Sequence, residues 1–273
     1  MSLSKESIIH IENQAIALSH EKSLDDNTDF PHRLIPDSMK VESLEPFMSF
    51  RNHFRATMKT ASINDFVKYF KDYEGSNCFI NAPGMAAKTI FDLGDTAEPE
   101  HCHHKAILSL TKTAAYKAIC NLNGNDFSQK SLADWLEEWH DFVTPLTDNA
   151  DKEEMQMAKA IAAIRTLTIE SKIKSDHETN NFSSRKTAMQ EIEARSEDGL
   201  PGYFKFKCIP YEGLSERTFD LRMGIKTSHE NPHFILRVMR EESIEEELAT
   251  EFQELLINEL PKAAKTYIGS LKV

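Results

Sequence analysis

Three consecutive segments in the C-terminal half alternate apolar and polar residues, and this pattern constrains the fold more than any other feature of the chain. The segments are YFKFKCI, RTFDLRMGI and HFILRVM. In the first, Phe204, Phe206 and Cys208 are expected on one side and Lys205 and Lys207 on the other, because successive side chains of a strand lie on opposite faces of a sheet. The pattern predicts an antiparallel meander with one face in water.

Strand and helix signals alternate through the first half of the chain. Phe54, Ala56 and Met58 alternate with polar residues as a strand requires, and Ser62 can cap a helix over INDFVKYFKDY. CFINAPG and KTIFDLGD indicate two strands around a Pro-Gly turn, KAILSLTKT a further strand, and TAAYKAICNL a helix. SQKSLADWLEEWHDFV predicts a helix that Pro145 ends.

Further helices are predicted on both sides of the meander. The alanine-rich segment over residues 151–173 predicts a long helix, and SSRKTAMQEIEARS predicts another with a serine start. A C-terminal acidic helix is expected to bury a stripe formed by Ile244, Leu248, Phe252 and Leu255. Together these elements predict the α+β class, with mixed or antiparallel sheets packed with amphipathic helices and an N-terminal helical arm.

The arm comprises residues 1–40. A short amphipathic helix over residues 4–22 carries a narrow apolar stripe of Ile8, Ile11, Ala15 and Leu18, and a linker with two prolines follows. We expect this stripe to dock on a neighbouring subunit, which predicts a homo-oligomer. An arm folded onto its own chain and a disordered arm stay open. The body comprises an α/β half, residues 41–145, and a second half, residues 146–273, or one continuous domain.

Composition favours a cytoplasmic globular protein. Of 273 residues, 40% are hydrophobic and 28% charged, and no run approaches the roughly 18 apolar residues of a membrane span. The N-terminus contains Glu6 and Glu12 and lacks the uninterrupted apolar core of a signal peptide. The 4 cysteines are scattered, so reduced thiols are expected rather than a disulfide framework.

The segment EPEHCHHKA concentrates three histidines and one cysteine within four positions. In an extended segment, His101 and His103 point to one side, and Cys102 and His104 to the other. Zinc needs about four ligands in a tetrahedral arrangement, so at most two of these side chains would share one ion. The remaining ligands would come from elsewhere, with Asp92, Asp95, Glu98 and His53 as candidates. A polar loop between two strands is the alternative, and we favour it.

Asp92 and Asp95 also motivate a magnesium hypothesis. Two carboxylates on a turn can hold Mg²⁺ while a nearby lysine, here Lys105, steadies the nucleophile, as in metal-dependent nucleases. Acids are equally common in turns after strands. The sequence has no Walker A loop, GxGxxG or GxSxG motif. A binding protein without a cofactor is therefore favoured over an enzyme.

The formal net charge of −12 disfavours a large basic surface. One local nucleic-acid-binding candidate remains, because the strand YFKFKC presents Lys205 and Lys207 next to aromatic residues, as single-strand-binding sheets do. A strand with its aromatic residues in the core and its lysines in water is the simpler interpretation.

Much of the negative charge lies in the C-terminal helix. Its exposed sides are predicted to carry a glutamate array that includes Glu241, Glu242, Glu245, Glu246 and Glu251. Such an array can complement the basic groove of a DNA-handling protein. A solvated helix surface is the alternative.

Several blocks together resemble a known family. They are VESLEPF with FRATMKTASINDFVKYF, then IFDLGD, HHKAILSLTKTAAYKAICNLNG and SQKSLADWLEEW, and finally FSSRKTAMQEIEARS and PGYFKFKCIPYEGL with RTFDLRM. In this order they resemble the YfdQ-like group of phage and prophage proteins, domain-of-unknown-function family 2303, over roughly positions 41–225. The arm lies outside the resemblance. The resemblance implies a phage or prophage origin and a cytoplasmic protein, and it carries over no catalytic residues.

We therefore expect an oligomeric phage accessory protein that binds a host or phage protein in DNA metabolism, such as a component of a host defence system. Direct binding of single-stranded nucleic acid through Lys205 and Lys207 is the alternative, and a metal-dependent nuclease-like enzyme is a second one.

Overall fold

The computed structural model describes residues 4–21, 45–73, 76–148, 151–167, 199–226 and 232–272, with the backbone alone for residues 16–21. The chain divides into two compact units, residues 1–54 and 55–273. In the first unit, helix α1 spans Lys5–Glu21, and a short 3-10 helix spans Glu45–Phe47.

Where the structure describes the second unit, its strands form two five-stranded sheets. The first sheet consists of β1 (Ala56–Thr60), β2 (Asn77–Asn81), β3 (Ala86–Ile90), β4 (His104–Ser109) and β10 (Lys265–Ile268), in the spatial order β1-β4-β3-β2-β10. Its two outer pairs, β1–β4 and β10–β2, are parallel, and its two inner pairs are antiparallel. This sheet is therefore mixed.

The second sheet is entirely antiparallel. It consists of β5 (Asp126–Ser128), β6 (Val143–Thr147), β7 (Pro201–Cys208), β8 (Arg217–Lys226) and β9 (His233–Val238), in the order β5-β9-β8-β7-β6. Strands β7, β8 and β9 form the predicted meander. The mixed and antiparallel sheets, with the helices that pack on them, confirm the α+β class.

The described residues of the second unit form five helices: α2 (Ile63–Lys71), α3 (Ala114–Leu122), α4 (Gln129–Glu138), α5 (Met157–Thr166) and α6 (Glu241–Glu259). Side-chain hydroxyls cap three of them, because Ser62, Thr113 and Ser128 each accept a hydrogen bond from a first-turn N–H. None of the helices in the described part of the chain is long and apolar enough to cross a membrane.

The core lies between the sheets and these helices. On the inner face of the second sheet, Phe204, Phe206 and Cys208 are buried, whereas Lys205 and Lys207 are exposed, which confirms the predicted alternation. The stripe of α6 is also confirmed at its centre, where Leu248 and Phe252 are buried. One continuous apolar cluster includes residues of both sheets and of all five helices.

Two predicted helix boundaries are wrong. Helix α4 ends at Glu138, and Pro145 lies inside strand β6. Proline lacks a backbone N–H, and it is tolerated there because β6 is an edge strand. The Pro145 carbonyl accepts a hydrogen bond from the N–H of Met155. The long helix starts at Met157 rather than at 151, because the backbone around Glu154 pairs with the edge of β6 instead. The part of that prediction beyond residue 167 and the predicted helix over SSRKTAMQEIEARS lie outside the described residues.

Three short strands, β5, β6 and β10, have no counterpart among the predicted elements. Strand β5 comes from the predicted first half of the body but pairs with β9 in the second sheet. Strand β10 comes from the C-terminal end but pairs with β2 in the first sheet. Each sheet therefore draws strands from both predicted halves.

We expect Phe206→Ala to lower the free energy of unfolding by about 3–5 kcal/mol, because it removes a ring from a fully buried site. Phe206 is 0% exposed and packs 5.9 Å from Phe142 and 5.8 Å from Trp135, measured between ring centroids. Urea unfolding measures the change. Phe79→Ala, at a half-buried position, is the control and should cost less than half as much; equal costs would contradict this assignment of the core.

Candidate functional site

The EPEHCHH segment lies in the loop that joins β3 to β4, and Asp92 organises its return to the sheet. One carboxylate oxygen of Asp92 accepts the N–H of His103 at 2.7 Å, and the other accepts the N–H of His104 at 2.8 Å. The carbonyl of Asp92 accepts the N–H of Cys102 at 2.9 Å. Three consecutive backbone donors are thus satisfied by one residue.

Asp95 has a similar role at the tip of the loop. Its Oδ1 atom accepts the N–H groups of Ala97 and Glu98 at 2.7 and 2.8 Å. Hydrogen bonds from Glu98 and Ala97 lower the pKa of Asp95. Gly94 has a φ of +66°, and a Cβ there would collide with the carbonyl of Glu98, so this turn requires glycine. Both predicted magnesium ligands therefore stabilise the loop through backbone hydrogen bonds.

The residues of this loop segment alternate in exposure. His101 and His103 are exposed, with their rings stacked 5.5 Å apart, whereas Cys102 and His104 are buried. Cys102 has a φ of 53°, in the left-handed region. Within the ranges that the structure describes, no three His, Cys, Asp or Glu side chains form a group that could hold a metal ion. The zinc and magnesium hypotheses thus have no ligand set among these residues.

His104 lies in an aromatic cluster beneath the loop. Its Nε2 atom shares a 2.9 Å hydrogen bond with the hydroxyl of Tyr69, and its ring lies 4.3 Å from that of Phe91 and 4.4 Å from that of Tyr73. Burial lowers the pKa of His104, against the opposing charge of Asp92. Burial and the neighbouring Tyr73 raise the pKa of Tyr69 to about 12. The neutral imidazole and the protonated phenol are therefore the stable forms, and the cluster holds α2 against the first sheet.

The two predicted nucleic-acid-binding lysines lie on the exposed face of the second sheet, and each faces a carboxylate. Lys207 forms an ion pair with Glu216 at 2.6 Å. Lys205 lies directly opposite Asp220 across the β7–β8 pair. The charge of Lys207 is thereby paired, and Asp220 is the carboxylate across the strand pair from Lys205.

The same face carries a pair of arginines that the sequence analysis missed. Arg222 lies directly opposite Arg237, and Tyr203 lies on the other side of Arg222. The Lys152 ammonium lies 3.9 Å above the ring of Tyr203 and covers the aromatic surface that a base would need. This face therefore has mixed charges and a covered ring.

The predicted glutamate array of α6 separates into two groups. Glu241 accepts a hydrogen bond from the Asn123 amide at 2.6 Å. Glu251 binds Arg217 at 3.0 Å and the N–H of Ser215 at 2.7 Å. Burial opposes the ionisation of Glu251, but these bonds outweigh it and lower its pKa. Arg217 also binds Glu247 at 2.6 Å. These three glutamates attach the helix to its own fold.

The remaining predicted glutamates, Glu242, Glu245 and Glu246, are exposed. None of them forms an ion pair with the residues that the structure describes. They therefore present negative charge on one part of α6, with the Lys112 ammonium close enough to Glu245 for their charges to interact.

The apolar stripe of α1 is exposed within its own unit. Ile8 and Ile11 are 52% and 54% exposed, and Ala15 is exposed as well. The side chain of Leu18 lies outside the described part of the structure. The predicted docking stripe is thus present at three of its four positions.

A lysine–cysteine contact also escaped the sequence analysis. The Lys112 ammonium lies 3.3 Å from Cys120 Sγ and 5.0 Å from the ring centroid of Tyr116, beside a small cavity. Burial opposes a charge on Lys112, but the hydrogen bond with Cys120 raises its pKa. Lys112 precedes α3 and Cys120 lies within it, so no sequence period relates the two.

The outward face of the first sheet forms a third surface, which we call the lysine face. Register places Lys59, Ile107, Lys88, Phe79 and Tyr267 in one row and Thr57, Lys105, Ile90, Asn77 and Lys265 in the next. The alternation in KAILSLTK predicts the direction of Lys105. Strand β10 was not predicted, so nothing in the sequence indicated that Lys265 and Tyr267 lie beside Asn77 and Phe79.

We expect the thermal midpoint of the protein to decrease as the pH is lowered from about 7.5 to about 5.5, because His104 takes up a proton. An unfolded histidine has a pKa of about 6.5, and the folded state lowers it. The stabilisation by neutral His104 is thus fully present above the unfolded pKa of about 6.5. It is lost as the pH falls through the lower folded-state pKa. Thermal unfolding of wild type and His104→Gln across this range measures the effect.

The variant should show a flatter pH profile than the wild type. The carboxyls of Asp95, Asp126 and Glu251 have a pKa lowered from ordinary values of 3.8, 3.8 and 4.5. They take up protons only below about pH 5.5 and so do not change stability between about pH 7.5 and about pH 5.5. Parallel profiles for both proteins would show that His104 does not titrate on unfolding.

Comparison with known proteins identified one family. Searches of the curated proteins and of the solved structures found no significant match. A family model described as an uncharacterized conserved protein (DUF2303) matches residues 4–271. The match thus includes the N-terminal arm, which the sequence resemblance left outside. With nearly the whole chain matched, the protein belongs to the DUF2303 family.

Proposed function

We propose that this protein is a cytoplasmic phage or prophage accessory protein that binds a host or phage DNA-handling protein. The supporting observation is the exposed set of Glu242, Glu245 and Glu246 on α6, which have no ion-pair partner among the described residues. We refer to these three residues as the glutamate patch.

The spacing of the glutamate patch concentrates negative charge on one side of the helix. Glu242 lies three and four residues before Glu245 and Glu246, so the three side chains are neighbours on the helix surface. Like charges at this spacing destabilise a helix by about 0.2–0.5 kcal/mol per pair. A cationic partner surface would relieve this repulsion on binding.

The rest of the fold supports a rigid presentation of the patch. Arg217 joins α6 to β8 through Glu247 and Glu251, and Phe252 and Leu256 of the helix are fully buried. A rigid acidic surface can steer towards the basic groove of a DNA-handling enzyme and complement it. Antagonism of a host defence enzyme is one role that such binding would serve. A role as a non-enzymatic binding protein agrees with the structural use of Asp92 and Asp95.

We further propose that the protein is a homo-oligomer assembled through α1. The exposed isoleucines of this helix would bury their side chains on a neighbouring subunit. An isolated helix of this length is marginally stable in water, so tertiary or quaternary contacts must supply its stability.

The triple variant Glu242→Lys/Glu245→Lys/Glu246→Lys is expected to lose its protein partner. Affinity purification from phage-infected cells, followed by mass spectrometry, identifies partners that the wild type recovers and the variant does not. The recovered partner should be a DNA-handling protein, its binding should weaken as salt increases, and duplex DNA should compete for it.

The matched control is Glu138→Lys/Glu153→Lys/Glu212→Lys, which makes the same charge change at exposed positions elsewhere. Partner recovery that survives in the glutamate-patch variant, or that is lost equally in the control, would refute the proposed surface. Equal thermal midpoints for the two variants would show that both are folded.

Removal of the arm should weaken assembly. We expect a native mass above one 31.1 kDa chain for the wild type and a shift towards one chain on deletion of residues 1–36. Light scattering after size exclusion at micromolar concentration measures both. Ile8→Ser/Ile11→Ser should reproduce the shift, whereas His10→Ser/Asn13→Ser, at the same spacing, should not. A wild-type mass of one chain would disprove the oligomer.

A further inference from the structure

The lysine face combines positive charge with an absence of acids among its own strand residues. The outward positions of the five strands are occupied by Lys59, Lys88, Lys105 and Lys265, together with polar and apolar residues, and none of these positions holds Asp or Glu. In a chain with a net charge of −12, this local segregation of positive charge needs an explanation.

Helix α2 packs on the other face of the first sheet. Tyr69 of α2 binds His104, whose side chain points inward together with those of Ala106 and Leu108. The outward side chains alternate with these. Lys59, Lys265 and Tyr267 are exposed, and Lys88, Lys105 and Phe79 are half-buried. Ile90, between Lys105 and Asn77 in the second row, is fully buried. The lysine face is therefore accessible at Lys59, Lys265 and Tyr267 rather than over its whole width.

The charges on this face repel one another. Burial lowers the pKa of Lys88, and the neighbouring Lys105 lowers it further. Lys88 donates a hydrogen bond to the carbonyl of Leu271 at 3.2 Å. The charge of Lys265 helps to lower the pKa of Asp95, so these two side chains interact. The Oδ1 atom of Asp95 already accepts two backbone N–H groups. An anion between the lysines would reduce their repulsion, which indicates an anionic ligand.

The aromatic pair on the face indicates the class of anion. The rings of Phe79 and Tyr267 stack with centroids 5.2 Å apart and planes 16° from parallel, and Tyr267 on the edge strand is 47% exposed. Bases of single-stranded nucleic acid stack on such aromatic rings, whereas the bases of a duplex are already stacked on each other. Asn77, Asn81 and Ser109 on the same face add groups that can hydrogen-bond to base edges.

We propose that the lysine face binds single-stranded nucleic acid, with the phosphates on Lys59, Lys105 and Lys265 and a base stacked on Tyr267. Five strands spaced by about 4.8 Å place Lys59 and Tyr267, at opposite ends of one row, roughly 19 Å apart, a span of several nucleotides. Phosphate contacts act over short distances at physiological salt, so the negative charge of the chain elsewhere does not prevent them. This inference does not depend on the glutamate patch.

Fluorescence anisotropy with a labelled oligothymidylate of about 20 nucleotides tests the proposal on the full chain. The wild type should bind it, and binding should weaken as salt increases. In Lys59→Gln/Lys105→Gln/Lys265→Gln, the slope of log affinity against log salt should decrease in magnitude by about 2, with roughly 100-fold weaker binding near 0.1 M salt. Tyr267→Ala should weaken binding roughly 5- to 100-fold without changing the slope, because stacking releases no counterions.

The matched control is Lys205→Gln/Lys207→Gln/Arg222→Gln on the second sheet, which removes the same number of charges and should bind as the wild type does. The glutamate-patch variant should also retain binding. Thermal unfolding of each variant verifies its fold. Three results would overturn the proposal: no binding by the wild type in low salt, loss in the second-sheet control rather than in the lysine-face variant, or equal affinity for a duplex of the same length.

Discussion

Burial of the phenylalanine layer on the inner face of the second sheet is the interaction on which the rest of the molecule depends. Phe204, Phe206 and Phe234 are fully buried, and Phe252 of α6 joins them in the same cluster. Aromatic side chains bury large apolar areas and so contribute a major share of core stability. Because this layer fixes the inner face, it also determines which strand residues remain in water.

The loop between β3 and β4 shows how a chemically suggestive segment can have a structural role. Asp92 satisfies backbone donors at the end of the loop, and Asp95 does so at its tip. Buried His104 joins the aromatic cluster under α2. A segment rich in metal-binding residue types therefore stabilises a connection between strands. Its carboxylates accept hydrogen bonds from backbone N–H groups, which need an acceptor in a turn.

Charge is distributed unevenly over the second unit. Negative charge is dense on α6, where two of the five predicted glutamates, Glu241 and Glu251, bind their own fold. Four lysines and no Asp or Glu occupy the outward strand positions of the first sheet. The second sheet has a more even charge distribution, because Lys207 is paired with Glu216 and Lys226 with Asp126. Net charge alone would have concealed the lysine face, since it averages over surfaces that a ligand meets separately.

The sequence by itself determined the local elements: the alternation in β7 and β8, the serine cap of α2 and the buried stripe of α6 follow from periods and caps that involve neighbouring residues only. Only the tertiary structure decided the position of Pro145 in an edge strand, the start of α5 at Met157 and the pairing of β10 with β2. The pairing of β6 with β7 and of β10 with β2 joins residues far apart in the chain. The start of α5 depends on hydrogen bonds across a turn, between residues 145–147 and 153–155. No helix or strand period records either kind of bond. The lysine face depends on the pairing of β10 with β2, because Tyr267 and Phe79 become neighbours only when β10 returns to the first sheet.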